Sequence, residues 1–257
     1  MSPRIAVFGC GFVGGTVADF LIASGIDVVK VDPKLYPDND PQEAVFESDG
    51  VIICVPTPSG PTGSCDDRIV KEVLSLCDHR TRVLLKSSVT PDNVQNYDVN
   101  VVYNPEFLRE RSARQDFAEQ PVQIFGHHKH NPEDAEWWAD LFSKCHTHEI
   151  ETVFTNRRTA SMIKYTHNAF LASKVAWFHE LYSILPPEVD YDALTNTLGM
   201  FERVGNGHMQ APNHEGSLGY GGACFPKDVK ALTKILDHSI LKYVDQVNSR
   251  LRGNNEA

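Results

Sequence analysis

The chain has 257 residues, 41% of them apolar, which is enough for one large core or two modest ones, and a formal net charge of −10. That acidity argues against nucleic acid or an anionic membrane as partner and favours a small molecule held in a local basic or amide-lined pocket. The six cysteines (Cys10, Cys54, Cys65, Cys77, Cys145, Cys224) form no CxxC pair, there is no signal-like segment, and no apolar run approaches the roughly 20 residues that span a bilayer, so a cytoplasmic protein is expected.

Short apolar runs rich in β-branched residues recur at Ile5–Phe8, Val28–Val31, Val51–Val55, Val83–Leu85, Val101–Tyr103 and Val122–Phe125, separated by helical or turn segments. They predict a buried parallel sheet in βα alternation, a doubly wound α/β domain over residues 1–150. Asn131 through Cys145, with Pro132 at a helix start and the stripe Ala135, Trp138, Leu141 and Phe142, reads as a covering helix. From about Thr155 to Leu185 one long helix follows, stopped by Pro186-Pro187, and opens an all-α domain over 151–257. A shorter helix is expected around Tyr191–Leu198 and another from Asp228 to Leu236. Gly199–Gly222 between them is too broken for regular structure, and long irregular segments of this kind are often functional.

Gly9-Cys10-Gly11-Phe12-Val13-Gly14 directly follows the first predicted strand and opens a helix. Its glycines stand where the chain must turn, approach a pyrophosphate and pack closely. The next strand ends at Asp32, eighteen residues after Gly14, where a carboxylate can bond the adenosine ribose hydroxyls and would repel a 2′-phosphate. FAD also occupies such turns, but no further FAD feature is present and NAD is the expected cofactor.

The remaining motifs are Val55-Pro56-Thr57-Pro58, Lys86-Ser87-Ser88-Val89, Tyr103-Asn104-Pro105-Glu106-Phe107-Leu108-Arg109-Glu110, Lys164 with Asn168, and Gly219-Tyr220-Gly221-Gly222-Ala223-Cys224-Phe225-Pro226-Lys227-Asp228. In this order, from residue 5 to about 235, the chain resembles the UDP-glucose and GDP-mannose dehydrogenases. A thiol suits the oxidation of an alcohol in two stages, because it holds the aldehyde covalently while a second hydride leaves, and Cys224 is that candidate. A lone cysteine is ordinarily a buried structural one, but the glycines before it let substrate approach, and Lys227 or Lys164 would favour its thiolate. Lys164 and Asn168, four apart, project from one helix face.

By the resemblance, Lys164 and Asn168 stabilise a developing oxyanion, Asp228 assists proton transfer, Glu110 activates water against a thioester, and Ser88 orders water. Glu106, also a candidate base by its position four residues before Glu110, positions substrate together with Phe107, Leu108, Lys164, Asn168, His208, Gly219, Tyr220 and Gly221. The cofactor falls to Gly9, Gly11, Phe12, Val13, Gly14, Asp32, Pro56, Thr57, Ser88 and Lys227. The implied substrate is a UDP-hexose, with UDP-glucose first, and the implied assembly is a homodimer through the long helix.

Three departures qualify the resemblance. Family members continue into a second Rossmann-like domain that closes over the nucleotide sugar, so the reading is of a short form without it. His208 stands where an Arg is usual, and Ser161 where a Glu is. The clusters His127-His128-Lys129-His130 and His146-Thr147-His148 sit in polar turns without a completing ligand set, and no metal is expected. Two rivals remain: a small hydroxyacid dehydrogenase of the 6-phosphogluconate or 3-hydroxyisobutyrate type, which needs no cysteine, and a non-catalytic NAD-binding subunit.

Overall fold

A computed structural model describes residues 2–60, 65–97, 100–109, 111–214, 216–237 and 239–253. The chain divides into two compact units. The first takes in residues 1–60 and 65–164, the second residues 61–64 and 165–257.

The first unit is built on a seven-stranded sheet. Its strands are β1 (Arg4–Phe8), β2 (Asp27–Val31), β3 (Gly50–Ile53), β4 (Arg82–Leu85), β5 (Val101–Tyr103), β6 (Val122–His127) and β7 (Glu151–Asn156), in the spatial order β2-β1-β3-β4-β5-β6-β7. Alternate strand residues feed two cores. Ala6, Phe8, Val51, Ile53, Val83 and Leu85 face one side, and Ile5, Val7, Ile52 and Leu84 face the other. Both faces are therefore dry, which explains why the strands read as unbroken apolar runs. Helices α1 (Phe12–Ala23) and α6 (Pro132–Cys145) cover the second face with Val17, Leu21, Trp138 and Phe142. The short helices α2 (Pro41–Phe46), α3 (Arg68–Leu74) and α4 (Pro91–Gln95) supply Val45, Val70, Val73 and Val94 to the other face. Helix α5 (Ala113–Ala118) adds Phe117 to the α1 side.

The expectation of a wholly parallel sheet is corrected at one seam, because β6 runs antiparallel to β5, joined at the single pair Tyr103↔Gly126. An apolar run encodes burial and not direction, so the sequence pattern is blind to this reversal. Strand β7, parallel to β6, was not expected either. It lies at the sheet edge with alternating exposure, and its sequence Glu-Thr-Val-Phe-Thr-Asn lacks a continuous apolar run.

Helix α7 spans Arg157–Ile184; it belongs to the first unit through Lys164 and to the second from Tyr165. The second unit also contains α8 (Tyr191–Gly199), α9 (Phe225–Ile235) and α10 (Leu241–Leu251). Asp190 caps α8 by accepting the Ala193 N–H at 2.9 Å. Helix α10 was not anticipated, although Leu241 and Val247 bury one of its faces. The described residues between α8 and α9 form neither helix nor strand. No described helix is long and apolar enough to cross a membrane.

Candidate active site

In the first unit the chemistry-bearing residues follow the carboxyl ends of the parallel strands, the side of an open α/β sheet where ligands bind; strand order reverses between β1 and β3. Gly9 leaves β1 at φ +81°, with its N–H on the Val31 carbonyl at 2.9 Å. A Cβ on Gly9 would lie 2.8 Å from the Cys54 carbonyl oxygen, and one on Gly14 would lie 1.9 Å from that of Gly9. At Gly11, the N-cap of α1, a Cβ would meet nothing within 4 Å. Gly9 and Gly14 thus serve the turn itself, whereas Gly11 leaves open space over a helix N-terminus, the cradle a pyrophosphate needs. Phe12 is exposed and Val13 half-buried. A cleft of about 440 Å³ is lined by Phe12, Thr16, Arg111 and Arg114 among others.

Alanine at Gly14 is therefore expected to destabilise the protein by about 3 kcal/mol or more, since backbone cannot yield as a side chain can. Alanine at Gly11 is expected to leave the melting temperature within a degree or two and to weaken NAD binding by about tenfold or more. Thermal melts with and without NAD separate the two.

Asp32, one residue past β2, accepts the Cys10 N–H at Oδ2 (3.0 Å) and the Lys34 and Leu35 N–H groups at Oδ1 (2.9 and 3.2 Å). Burial pushes its carboxyl up, but these backbone donors outweigh that and hold it below the ordinary range, so it is an anion at neutral pH. One carboxylate oxygen has about two acceptor sites, so Oδ2 retains capacity for a ribose hydroxyl. Turn, open Gly11 and anionic Asp32 together fit NAD. Pro56 is exposed and Thr57 buried after β3, and Ser88 is half-buried after β4.

Beyond β5, Glu106 is buried (8% exposed) with Oε1 on Lys164 Nζ at 2.9 Å and Oε2 on the Leu108 N–H at 2.8 Å. Lys164 Nζ also donates to the Glu106 backbone carbonyl and lies 5.3 Å from the Phe107 ring centre. Burial raises the Glu106 carboxyl; Lys164, the Leu108 N–H and Lys86 lower it further than burial raises it. Lys86 is a residue of the quoted motifs to which the sequence assigned no role. It is fully buried, donates to Asn104 Oδ1 at 2.6 Å, and is pushed down to about 8 by burial. Asn104 in turn donates to the Ile124 carbonyl at 2.8 Å, fixing the start of the Asn104-Pro105-Glu106 turn. A lysine directly after the apolar run Val83–Leu85 was the available signal. Glu110 lies outside the described residues.

In the second unit, Asn168 Nδ2 donates to Asp228 Oδ2 at 2.7 Å, and Lys227 Nζ lies 2.6 Å from Asp228 Oδ1. Asp228 has no exposed surface. Cys224 is the N-cap of the eleven-residue α9, one turn before Asp228, and is exposed. By contrast, burial pushes the Cys10 and Cys77 thiols up to about 11 and that of Cys54 up to about 12. His208 is half-buried at φ +65° with its ring centre 5.9 Å from that of Phe225. Gly219 and Tyr220 are buried, and Gly221 is half-buried against Arg252. Lys164 and Asn168 share α7, but each is engaged by a different carboxylate, a division that spacing alone did not reveal. Among the described residues no group of three or more His, Cys, Asp or Glu is arranged to hold a metal.

Residues 33–146 match the NAD binding domain of the UDP-glucose/GDP-mannose dehydrogenase family, and residues 158–250 match that family's central domain. UDP-glucose 6-dehydrogenase of Rhizobium meliloti is 33% identical over 233 residues, covering 84% of this chain and 51% of that protein. The Rickettsia bellii enzyme of the same name is 30% identical, covering 83% and 51%. The chain thus spans about half the length of these relatives. Among solved structures, a UDP-glucose dehydrogenase from Pyrobaculum islandicum superposes with a TM-score of 0.85 at 25% identity, over 97% of this chain and 68% of that one. A 3-hydroxyisobutyrate dehydrogenase from Mycobacterium tuberculosis shares the fold, with a TM-score of 0.70 at 13% identity over 99% and 95%. With a glycine turn and Asp32 in one unit and two consecutive domain matches along the sequence, the chain belongs to the UDP-glucose/GDP-mannose dehydrogenase family.

Proposed function

We propose that this protein oxidises the C6 hydroxyl of a UDP-hexose, UDP-glucose first among them, to the uronic acid through a covalent intermediate on Cys224. The observation that carries the reading is an exposed cysteine at a helix N-terminus, one turn before a fully buried aspartate held by Asn168 and Lys227. The partial positive charge of a helix N-terminus favours a thiolate.

Bound NAD would supply the acceptor for the hydride lost in each oxidation, and we assign its binding to Gly9, Gly11, Phe12, Val13, Gly14, Asp32, Pro56, Thr57, Ser88 and Lys227. In the first oxidation the alcohol loses a hydride from carbon and its hydroxyl proton, the proton passing towards Asp228. Lys164 spends two of its three donors on Glu106 among the described residues, so one remains for the substrate oxygen; Asn168 likewise keeps one amide N–H beyond its bond to Asp228. Cys224 sulfur then adds to the aldehyde carbon, giving a thiohemiacetal whose oxygen the same donors steady. Loss of a second hydride makes the thioester. Water attacks it, the C–S bond breaks, the thiolate is restored, and the carboxylate leaves. We assign activation of that water to Glu110, its ordering to Ser88, and sugar placement to Glu106, Phe107, Leu108, His208, Gly219, Tyr220 and Gly221.

Calorimetry with UDP-glucose, UDP-N-acetylglucosamine and GDP-mannose in turn tests the substrate class. Saturable binding of one of them is expected; NAD binding with no nucleotide-sugar binding would favour a non-catalytic subunit.

A homodimer through α7 is part of the same proposal. Phe170, Trp177 and Ile184 recur every seven residues and are 67%, 65% and 71% exposed, a stripe of the spacing that pairs helices. Trp177→Asp is expected to convert a dimer to a monomer in sedimentation; a monomer already in the unmodified protein would contradict it.

A further inference from the structure

The two residues that lead into Gly221-Gly222-Ala223-Cys224 are each held through the backbone by one buried side chain from a helix of the second unit. His179 on α7, 2% exposed, accepts the Gly219 N–H at Nδ1 (2.8 Å), and the ring also meets the Gln210 backbone. Asn248 on α10 accepts the Tyr220 N–H at Oδ1 (2.6 Å), while Tyr220 Oη donates to Asp245 Oδ1 at 3.0 Å. Gly219 sits at φ +78°, and a Cβ there would lie 2.5 Å from Asn248 Oδ1, so only glycine admits the clamp so close.

We infer that His179 is the positioning residue of the cysteine segment: its neutral ring ties Gln210 to Gly219 across the irregular stretch before Cys224, and protonation of the ring releases that tie. The inference deepens the proposed role of Cys224 and rests on it.

The chemistry follows from the ring's two nitrogens. In the neutral tautomer Nδ1 accepts while Nε2 donates, which satisfies both backbone groups. In the imidazolium both nitrogens donate, so Nδ1–H would face the Gly219 N–H and a buried hydrogen bond would be lost. Burial holds the His179 pKa below the ordinary histidine value, with the Gln210 carbonyl opposing that in part. A histidine depressed in this way contributes stability that is complete above its unfolded value of about 6.5 and is lost as pH falls towards the lower folded one.

Glu180, next on α7, is taken by Arg250 of α10. Asp245 and Arg252 of α10 engage Tyr220 and flank Gly219 and Gly221. Tyr191 of α8 lies 2.6 Å from the Met209 carbonyl and is pushed up to about 12 by burial, so it stays protonated, as does Tyr220, also raised by burial. His208 and His214 lie on the irregular stretch itself, and the test separates them from His179 by substitution.

Hydrogen exchange read by mass spectrometry over residues 211–224, normalised to intrinsic rates across about pH 5 to 8, is the experiment. Protection in the unmodified protein is expected to fall by about tenfold on the acid side, with iodoacetamide labelling of Cys224 changing over the same range. His179→Asn offers Gly219 an amide oxygen in place of Nδ1 without titrating, and is expected to keep protection flat with pH. His179→Phe removes the acceptor and is expected to lose protection throughout. Protection that does not depend on pH in the unmodified protein, or that varies with pH equally in His179→Asn, would overturn the inference. If exchange behaves as expected while no nucleotide sugar is oxidised, the clamp stands and the reading of Cys224 as nucleophile falls.

Discussion

Cys224→Ala is expected to lower uronic acid formation by about a thousandfold or more while leaving NAD binding unchanged. Without the thiol the aldehyde is not captured, so reduction of NAD is expected to stop at the first oxidation, or to fail if the aldehyde is not released. Position sets Cys224 apart from the other cysteines as much as residue type does. The Cys10, Cys54 and Cys77 thiols are pushed far up by burial, whereas Cys224 is exposed at the start of α9. A variant that still oxidises its substrate at the original rate would instead point to a hydroxyacid-type dehydrogenase, whose fold the chain shares over nearly its whole length.

Lys164→Met carries the second large effect. It leaves the Glu106 carboxylate buried with the Leu108 N–H and the more distant Lys86 as support, and a cost of about 3 kcal/mol in stability is expected. The pH dependence gives the sign. In the unmodified protein burial raises Glu106, but Lys164, the Leu108 N–H and Lys86 lower it further, so the folded pKa lies below the unfolded value of about 4.3. Its contribution is complete above that value and lost as pH falls through the folded one. Removal of Lys164 leaves burial ascendant, so the folded Glu106 pKa moves above the unfolded one and the sign reverses: the deficit of Lys164→Met is full at neutral pH and narrows as pH falls through the raised value, and Lys164→Met with Glu106→Gln should recover part of the stability. Chemical denaturation across the acid range measures this; superimposable profiles for the single variant and the unmodified protein would show that the pair contributes nothing.

The parts of this molecule that were legible in sequence are those where one local pattern has one physical cause. Unbroken runs such as Val51–Val55 mark strands dry on both faces, Pro186-Pro187 ends α7, and the glycine turn before α1 follows from steric need at Gly9 and Gly14. What stayed hidden depends on contacts distant along the chain. The antiparallel seam at Tyr103↔Gly126 leaves no mark in composition, and the edge strand β7 is half polar because only part of it is covered. The division of Lys164 to Glu106 and Asn168 to Asp228 cannot be read from a spacing of four, which places both side chains on one side of the helix but says nothing of their partners. Lys86 and His179 escaped for a related reason. A lone polar residue in an apolar stretch signals burial with a partner, yet Asn104 lies 18 residues away and Gly219 lies 40 away.

The ratio of NADH formed to uronic acid released is the most direct test of the account. Purified protein is incubated with NAD and each nucleotide sugar in turn, with NADH followed by absorbance and the sugar product by mass spectrometry. Two NADH for each uronic acid, from one nucleotide sugar, is the predicted result. A single NADH for each oxidised product, or none with any nucleotide sugar, would contradict it.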